Sequence, residues 1–190
     1  MALGNHRLRE ELRMQSIRDP LTGLFNRRYL EESLELEVGR AARAQATIGV
    51  IMFDVDHFKR FDDSFGHDAG DAVLKVVGET LSAGVRRGDI ACRFGGEEFT
   101  VIAPGASAED AARRAETLRE AVSAITVLHQ GRPLGPITCS LGVASFPAQG
   151  TTPAEILQAA DKALYRAKQA GRNRVELAAP RAPLTLARIG

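Results

Sequence analysis

Arg93-Phe94-Gly95-Gly96-Glu97-Glu98-Phe99 sets a pair of glycines and a pair of carboxylates between two apolar runs. Ile90 to Phe94 before it and Phe99 to Ala103 after it have the composition of strands, which puts the Gly-Gly-Glu-Glu segment at a hairpin turn. Glycine at 95 and 96 leaves room for a ligand or another backbone to come close. Glu97 and Glu98 then stand side by side where the sheet ends, and a divalent cation would relieve their repulsion. A solvated hairpin tip accounts for the same residues.

A second acidic cluster has matching character. Thr47 to Phe53 is a β-rich apolar run that stops at Asp54-Val55-Asp56. With a strand period of two, Asp54 and Asp56 share a face at the strand end, so at least one can meet a carboxylate from a neighbouring hairpin. Asp54 with Glu97 would make an oxygen-only site suited to Mg²⁺ and a triphosphate. A strand-ending turn is the alternative account of the two aspartates, and the strength of the apolar run as a central strand weighs against it.

Bulk properties bound the rest. The chain has 190 residues, 44% of them hydrophobic, enough for one core, and a formal net charge of +1 that gives no argument for a nucleic-acid or membrane-surface partner. Cys92 and Cys139 fall inside predicted strands without CxxC spacing and are expected to be reduced core residues. The first residues lack the apolar stretch of a signal peptide and no run approaches membrane-spanning length, so a cytoplasmic protein is expected.

Along the chain, His6 to Ile17 carries a thin apolar stripe and reads as a lead-in or signalling helix or linker over residues 1–18. Asp19 caps or turns the segment that follows, and Asn26 is the expected N-cap of a helix with Leu30, Leu34, Val38 and Ala41 inward. After the central strand come a short helix to Phe65, a turn at Gly66 and a long helix with Val73, Val76, Val77 and Leu81 inward; Asp68 and Asp71 suit its capping box. Lys59 lies one helical turn beyond the carboxylates, placed to meet a phosphate or simply solvent. Arg86 and Asp89, three apart, can offer a donor fork beside an acceptor, or a local ion pair. Ser107 and Thr152 open two further helices, the second with a full capping box and Pro153. Ile125 to His129 and Ile137 to Phe146 read as paired strands, Arg174 to Leu177 as a last strand, and 178–190 as a loose tail. Lys168 and Arg172 fall at a helix end, where cations are favoured in any case.

This order of elements fits neither a doubly wound parallel sheet nor a helical bundle. It predicts an α/β fold with a mixed, mainly antiparallel central sheet flanked by helices, ferredoxin-like or polymerase-palm-like. Walker A and GxGxxG sequences are absent, so phosphates fall to metal, side-chain cations and isolated amides.

Five stretches in order resemble the GGDEF domain of diguanylate cyclases: Asp19 to Leu24 with Asn26-Arg27-Arg28, Phe53 to Lys59, Gly66 to Asp71, Gly95 to Phe99, and Ala163 to Val175. The resemblance spans residues 19–177. It implies condensation of two GTP into cyclic di-GMP and two pyrophosphates by an antiparallel homodimer, the 3′-hydroxyl of one GTP attacking the α-phosphate of the other. By the same resemblance Asp54, the Val55 carbonyl and Glu97 hold Mg²⁺, with Mn²⁺ as an alternative, and either Glu97 or a metal-bound hydroxide is the candidate to accept the proton. Glu98 is a nearby or second-metal group, and Lys59, Lys168, Arg172 and the His57 and Phe58 amides bind triphosphate. Gly95 and Gly96 admit base and sugar, and Asp71 reads guanine. Asp62 stands where most members carry asparagine, and a carboxylate offers guanine acceptors only, which implies weaker GTP binding. Arg86 and Asp89 match the family's RxxD product site, implying inhibition by cyclic di-GMP. A weak or inactive module that only binds cyclic di-GMP is the alternative; a relaxed enzyme that also takes ATP is discouraged by Asp71.

Overall fold

The structure is a computed structural model that describes residues 16–181. The helix expected over His6 to Ile17 therefore lies outside the described residues, apart from helical Ser16 and Ile17, as does the tail after Arg181. Chain order is β1 (Phe25–Asn26), α1 (Arg27–Ala44), β2 (Ile48–Val55), α2 (Phe58–Phe65), α3 (His67–Gly84), β3 (Ile90–Gly95) and β4 (Glu98–Pro104). Then follow α4 (Ala108–Ser123), β5 (Leu128–His129), β6 (Arg132–Pro133), β7 (Cys139–Phe146), α5 (Pro153–Gln169) and β8 (Val175–Leu177). Six strands form one mixed sheet in the order β1-β3-β4-β2-β7-β8. Its central pairs are antiparallel, and the short edge strands β1 and β8 pair in parallel.

β2 and β7 are buried at every residue, which explains why their sequences run apolar rather than alternating. Ile51, Phe53 and Val55 pack with α3 and α4, while Ile48, Val50 and Met52 pack with α1 and α5. Phe53 meets Phe99 edge to face at 5.6 Å, locking β2 to β4 at the end of the sheet that carries the acids. The inner face predicted for α1 is buried, and on α5 Ile156, Ala160, Ala163, Leu164 and Ala167 form the buried stripe. On α3 the stripe is Ala69, Gly70, Val73, Leu74, Val77, Gly78 and Leu81; Val76 is only half-buried.

The caps follow local chemistry. Tyr29 N donates to Asn26 Oδ1 at 3.0 Å, Asp110 N donates to Ser107 Oγ at 3.1 Å, and Thr152 with Glu155 forms the reciprocal box. Asp68 does not cap α3, because the helix begins at His67, two residues earlier than an Asp68 cap would set it, with Gly66 as cap and no side-chain bond. Asp68 instead sits in the first turn, where the helix dipole favours an anion. Asp71 is thereby left exposed.

Strand pairing around β5 also differs from expectation. Leu128–His129 pairs with Arg132–Pro133 in a separate hairpin, because Gln130 and Gly131 both take positive φ and close a tight two-residue turn. β7 pairs instead with β2 along its full length. There it lies so close to α5 that a Cβ on Gly142 would land on the backbone of Ala160 and Leu164. Cys92 and Cys139 are buried free thiols; burial pushes Cys92 up to about 12 and Cys139 higher still. The start of the predicted tail is tied down, since Ala178 N donates to Val143 O at 2.7 Å and Arg181 N to Ala148 O at 3.0 Å.

Candidate active site

The two acidic clusters meet at one end of the sheet. The register pairs Asp54 on β2 with Glu98 on β4, and Val55 N donates to the Glu97 carbonyl at 3.3 Å. β3 and β4 leave only Gly96 and Glu97 between them, with a register shift between Arg93 and Gly95 and Gly96 at φ 52°. Asp54 is buried on the face covered by α5, and its Oδ2 lies 2.7 Å from Lys168 Nζ. Burial raises the Asp54 pKa and the Glu97 and Glu98 charges add to the rise, which together outweigh the lowering by Lys168. A buried carboxyl destabilised by like charges is a site that a divalent cation would relieve.

Among the described residues no three His, Cys, Asp or Glu side chains gather into a cage for a metal. That suits Mg²⁺, which commonly takes one or two carboxylates and completes its shell with water and phosphate oxygens. Asp54, Val55 and Glu97, the ligands expected from the sequence, adjoin one another here: the Glu97 charge acts on Asp54, and the Glu97 carbonyl accepts the Val55 amide. Asp56 does not join them. Its carboxylate accepts Ser140 Oγ at 2.7 Å, Thr138 Oγ1 at 2.8 Å and the Asn173 amide at 3.0 Å, so its oxygens are engaged within the protein.

The cations and amides sit around that end. His57 holds a left-handed φ of 59° and begins α2 without a side-chain cap, leaving the first amides of that helix free. Lys59 is exposed on its first turn. Arg172 is half-buried at φ 63°, its amide donating to Ala167 O at 3.0 Å across the end of α5. Between α2 and α3, Asp62 Oδ2 lies 2.6 Å from His67 Nδ1, and Asp62 leans over Gly70, where a Cβ would come within 2.5 Å of its Oδ1. Gly95 and Gly96 have nothing within 4 Å of where a Cβ would stand.

Arg86 and Asp89 lie away from this end, in the turn between α3 and β3. They do not form a side-chain pair. Asp89 accepts the Arg86 amide at 3.0 Å, and both its oxygens lie 3.1 Å from Arg114 Nη1 on α4, while the Arg86 side chain is exposed. Arg114 is a residue that sequence reasoning missed, being 25 positions away. Arg93 is another. Its Nε donates to Gly96 O at 2.9 Å and its Nη1 lies 3.3 Å from both Asp19 oxygens, so the turn is braced against the Asp19 segment. Burial raises the Asp19 pKa, but hydrogen bonds from Thr22 and the Arg93 charge hold it below the ordinary carboxyl value. An arginine two residues before a diglycine was the available signal.

Comparison with known proteins places this geometry among relatives. The sequence model of the family "Diguanylate cyclase, GGDEF domain" matches residues 16–174. Diguanylate cyclase DgcP of Pseudomonas aeruginosa is 46% identical over 169 residues, covering 89% of this chain and 25% of DgcP. Response regulator PleD of Caulobacter vibrioides is 43% identical over 162 residues, covering 84% of this chain and 36% of PleD. The chain thus spans well under half the length of either protein. The crystal structure of the coiled coil and GGDEF domain of DgcB from Caulobacter crescentus, in complex with c-di-GMP, is 34% identical with a TM-score of 0.86, covering 93% of this chain and 95% of that one.

Proposed function

This chain belongs to the GGDEF-domain family of diguanylate cyclases, and on that premise we propose that residues 19–177 condense two GTP into cyclic di-GMP. The observation that carries the reading is Asp54, a buried carboxyl raised by its surroundings, with Glu97, Glu98 and Lys168 around it. Asp54, Glu97 and the Val55 carbonyl would hold Mg²⁺, or Mn²⁺, whose charge would polarise the α-phosphate and neutralise the leaving pyrophosphate. Lys59, Arg172 and the amides of His57 and Phe58 grip the triphosphate. Lys168 neutralises Asp54 and has an ammonium to share with a phosphate oxygen.

Asp71 accepts from guanine, and Asp62 faces the base with acceptors alone. Gly95 and Gly96 leave space for base and sugar. Glu97 takes the proton of the 3′-hydroxyl as its oxygen forms a bond to the α-phosphorus of the facing GTP. The bond from that phosphorus to the β-phosphate oxygen breaks and pyrophosphate departs. Repeating the step in the other direction closes the ring and releases the second pyrophosphate. One domain supplies one nucleotide, so the product requires two copies face to face, and rate should rise more steeply than linearly with protein concentration.

Arg86, exposed beside the Arg114-held Asp89, is the proposed product site. The deciding experiment incubates the protein with GTP and Mg²⁺ and resolves cyclic di-GMP and pyrophosphate by chromatography, with and without added product. Cyclic di-GMP formation, slowed by added product in the parent but not in Arg86→Ala, is expected. Product binding without any turnover would instead make the chain a receptor, the reading that Asp62 favours. Equal inhibition of Arg86→Ala would remove the product site from the proposal.

A further inference from the structure

Asp56 is a buried carboxylate outside the proposed metal set, and its partners come from two separate parts of the chain, Thr138 with Ser140 and Asn173. We propose that Asp56 is a positioning residue: it fixes the loop that carries Arg172 against the segment that carries the His57 and Phe58 amides, and so sets the spacing between the two sides of the phosphate cradle. The inference rests on the reading of Arg172 as a phosphate ligand.

The geometry supports this at each link. Asp56 is 9% exposed and directly precedes His57, and its own amide donates to Thr138 O at 2.9 Å. Ser140 Oγ at 2.7 Å and Thr138 Oγ1 at 2.8 Å anchor its carboxylate to β7 and the residue before it. The same Oδ2 that meets Thr138 also accepts the Asn173 amide at 3.0 Å, the residue next to Arg172. Arg172 and Asn173 both hold left-handed φ, 63° and 47°, a conformation that side-chain-bearing residues keep only where surroundings dictate it. Asn173 is gripped on its other side too, its Oδ1 accepting Arg119 Nη1 from α4 at 2.8 Å. Arg172 therefore owes its place to bonds made by its neighbour, and the one to Asp56 is charge-assisted.

The test is a double-mutant cycle between Asp56→Asn and Arg172→Ala, read by calorimetric binding of guanosine α,β-methylene triphosphate with Mg²⁺. Asp56→Asn should weaken binding by about tenfold, the loss expected for one charge-assisted hydrogen bond. In the Arg172→Ala background the same change should cost less than about twofold, because residues acting through one another are not additive. With GTP as substrate, Asp56→Asn should raise KM far more than it lowers kcat. Should Asp56→Asn fail to fold, Ser140→Ala loosens the same carboxylate and is expected to cost about threefold, again only when Arg172 is present. Equal losses in both backgrounds, or unchanged binding in Asp56→Asn, would overturn the proposal. A parent chain that binds the analogue but makes no cyclic di-GMP would refute the cyclase reading while the binding cycle still decides the role of Asp56. A parent that binds no analogue would overturn both.

Discussion

Gly142 and Gly95 are the same residue in opposite circumstances. At Gly142, β7 passes against α5 so closely that any side chain would strike the backbone of Ala160 and Leu164. At Gly95, the would-be side chain has nothing within 4 Å, and the backbone there avoids the left-handed region. Neither packing nor conformation calls for glycine at 95. On the proposed reading, the open space beside Gly95 is where the nucleotide's base and sugar lie, next to Asp54, Glu97 and Glu98. A glycine the fold demands and a glycine the fold would do without thus separate architecture from chemistry.

The contrast can be broken by substitution. Gly142→Ala should lose about 3 kcal/mol of stability or more, since overpacking here meets main chain that cannot swing aside, and denaturant unfolding measures it. A near-native midpoint would mean that α5 can slide away from β7. Gly95→Ala should leave the fold as stable as before, or firmer by about 0.4–1 kcal/mol through the unfolded chain. Its cyclic di-GMP output should nevertheless fall about a hundredfold, the loss expected when a bound reactant is displaced by an ångström. Full activity in this variant would return the turn to mere solvent.

Asp62→Asn sharpens the same contrast at the base end. Restoring a donor toward guanine should lower KM for GTP by a few-fold, roughly one neutral hydrogen bond, and steady-state kinetics would detect it. No gain would mean that the carboxylate beside His67 already serves the base.

The smallest effect concerns Asp54. Because its folded pKa is raised, the folded state holds the proton more tightly than the unfolded one, so its contribution to stability is fully present below the unfolded value and is lost as pH rises through the folded value. Asp54→Asn should therefore unfold at a slightly higher denaturant concentration than the parent at pH 7. The gap should close as pH falls through the Asp54 pKa, although the variant makes no product. A less stable variant at pH 7 would mean that the Lys168 pair outweighs burial.

Much of this architecture was legible because it is local. Asn26, Ser107 and Thr152 cap helices through bonds to amides three residues on, and the inner faces of α1 and α5 follow a 3.6-residue period. The convergence of Asp54 with the Glu97 turn was also readable, because one strong strand ends in acids and another begins with them. What stayed hidden depends on residues far apart in the chain. Asp56 is held from positions 82 to 117 residues away, Arg114 reaches Asp89 across 25, and Arg93 reaches Asp19 across 74. The start of α3 was misplaced for a smaller reason. Asp68 has the right chemistry for a cap, but the turn at Gly66 let the helix begin without one.

The two thiols carry a practical consequence. Cys92 and Cys139 are the chain's whole complement of cysteine, both sealed in the core with their ionisation suppressed. Alkylating reagents and mild oxidants should leave the folded protein untouched. A lone Leu36→Cys, at a site 62% exposed on the outer side of α1, would then react by itself. The native sequence is already a silent background for attaching a spin label or fluorophore, with no need to remove its own sulfur first.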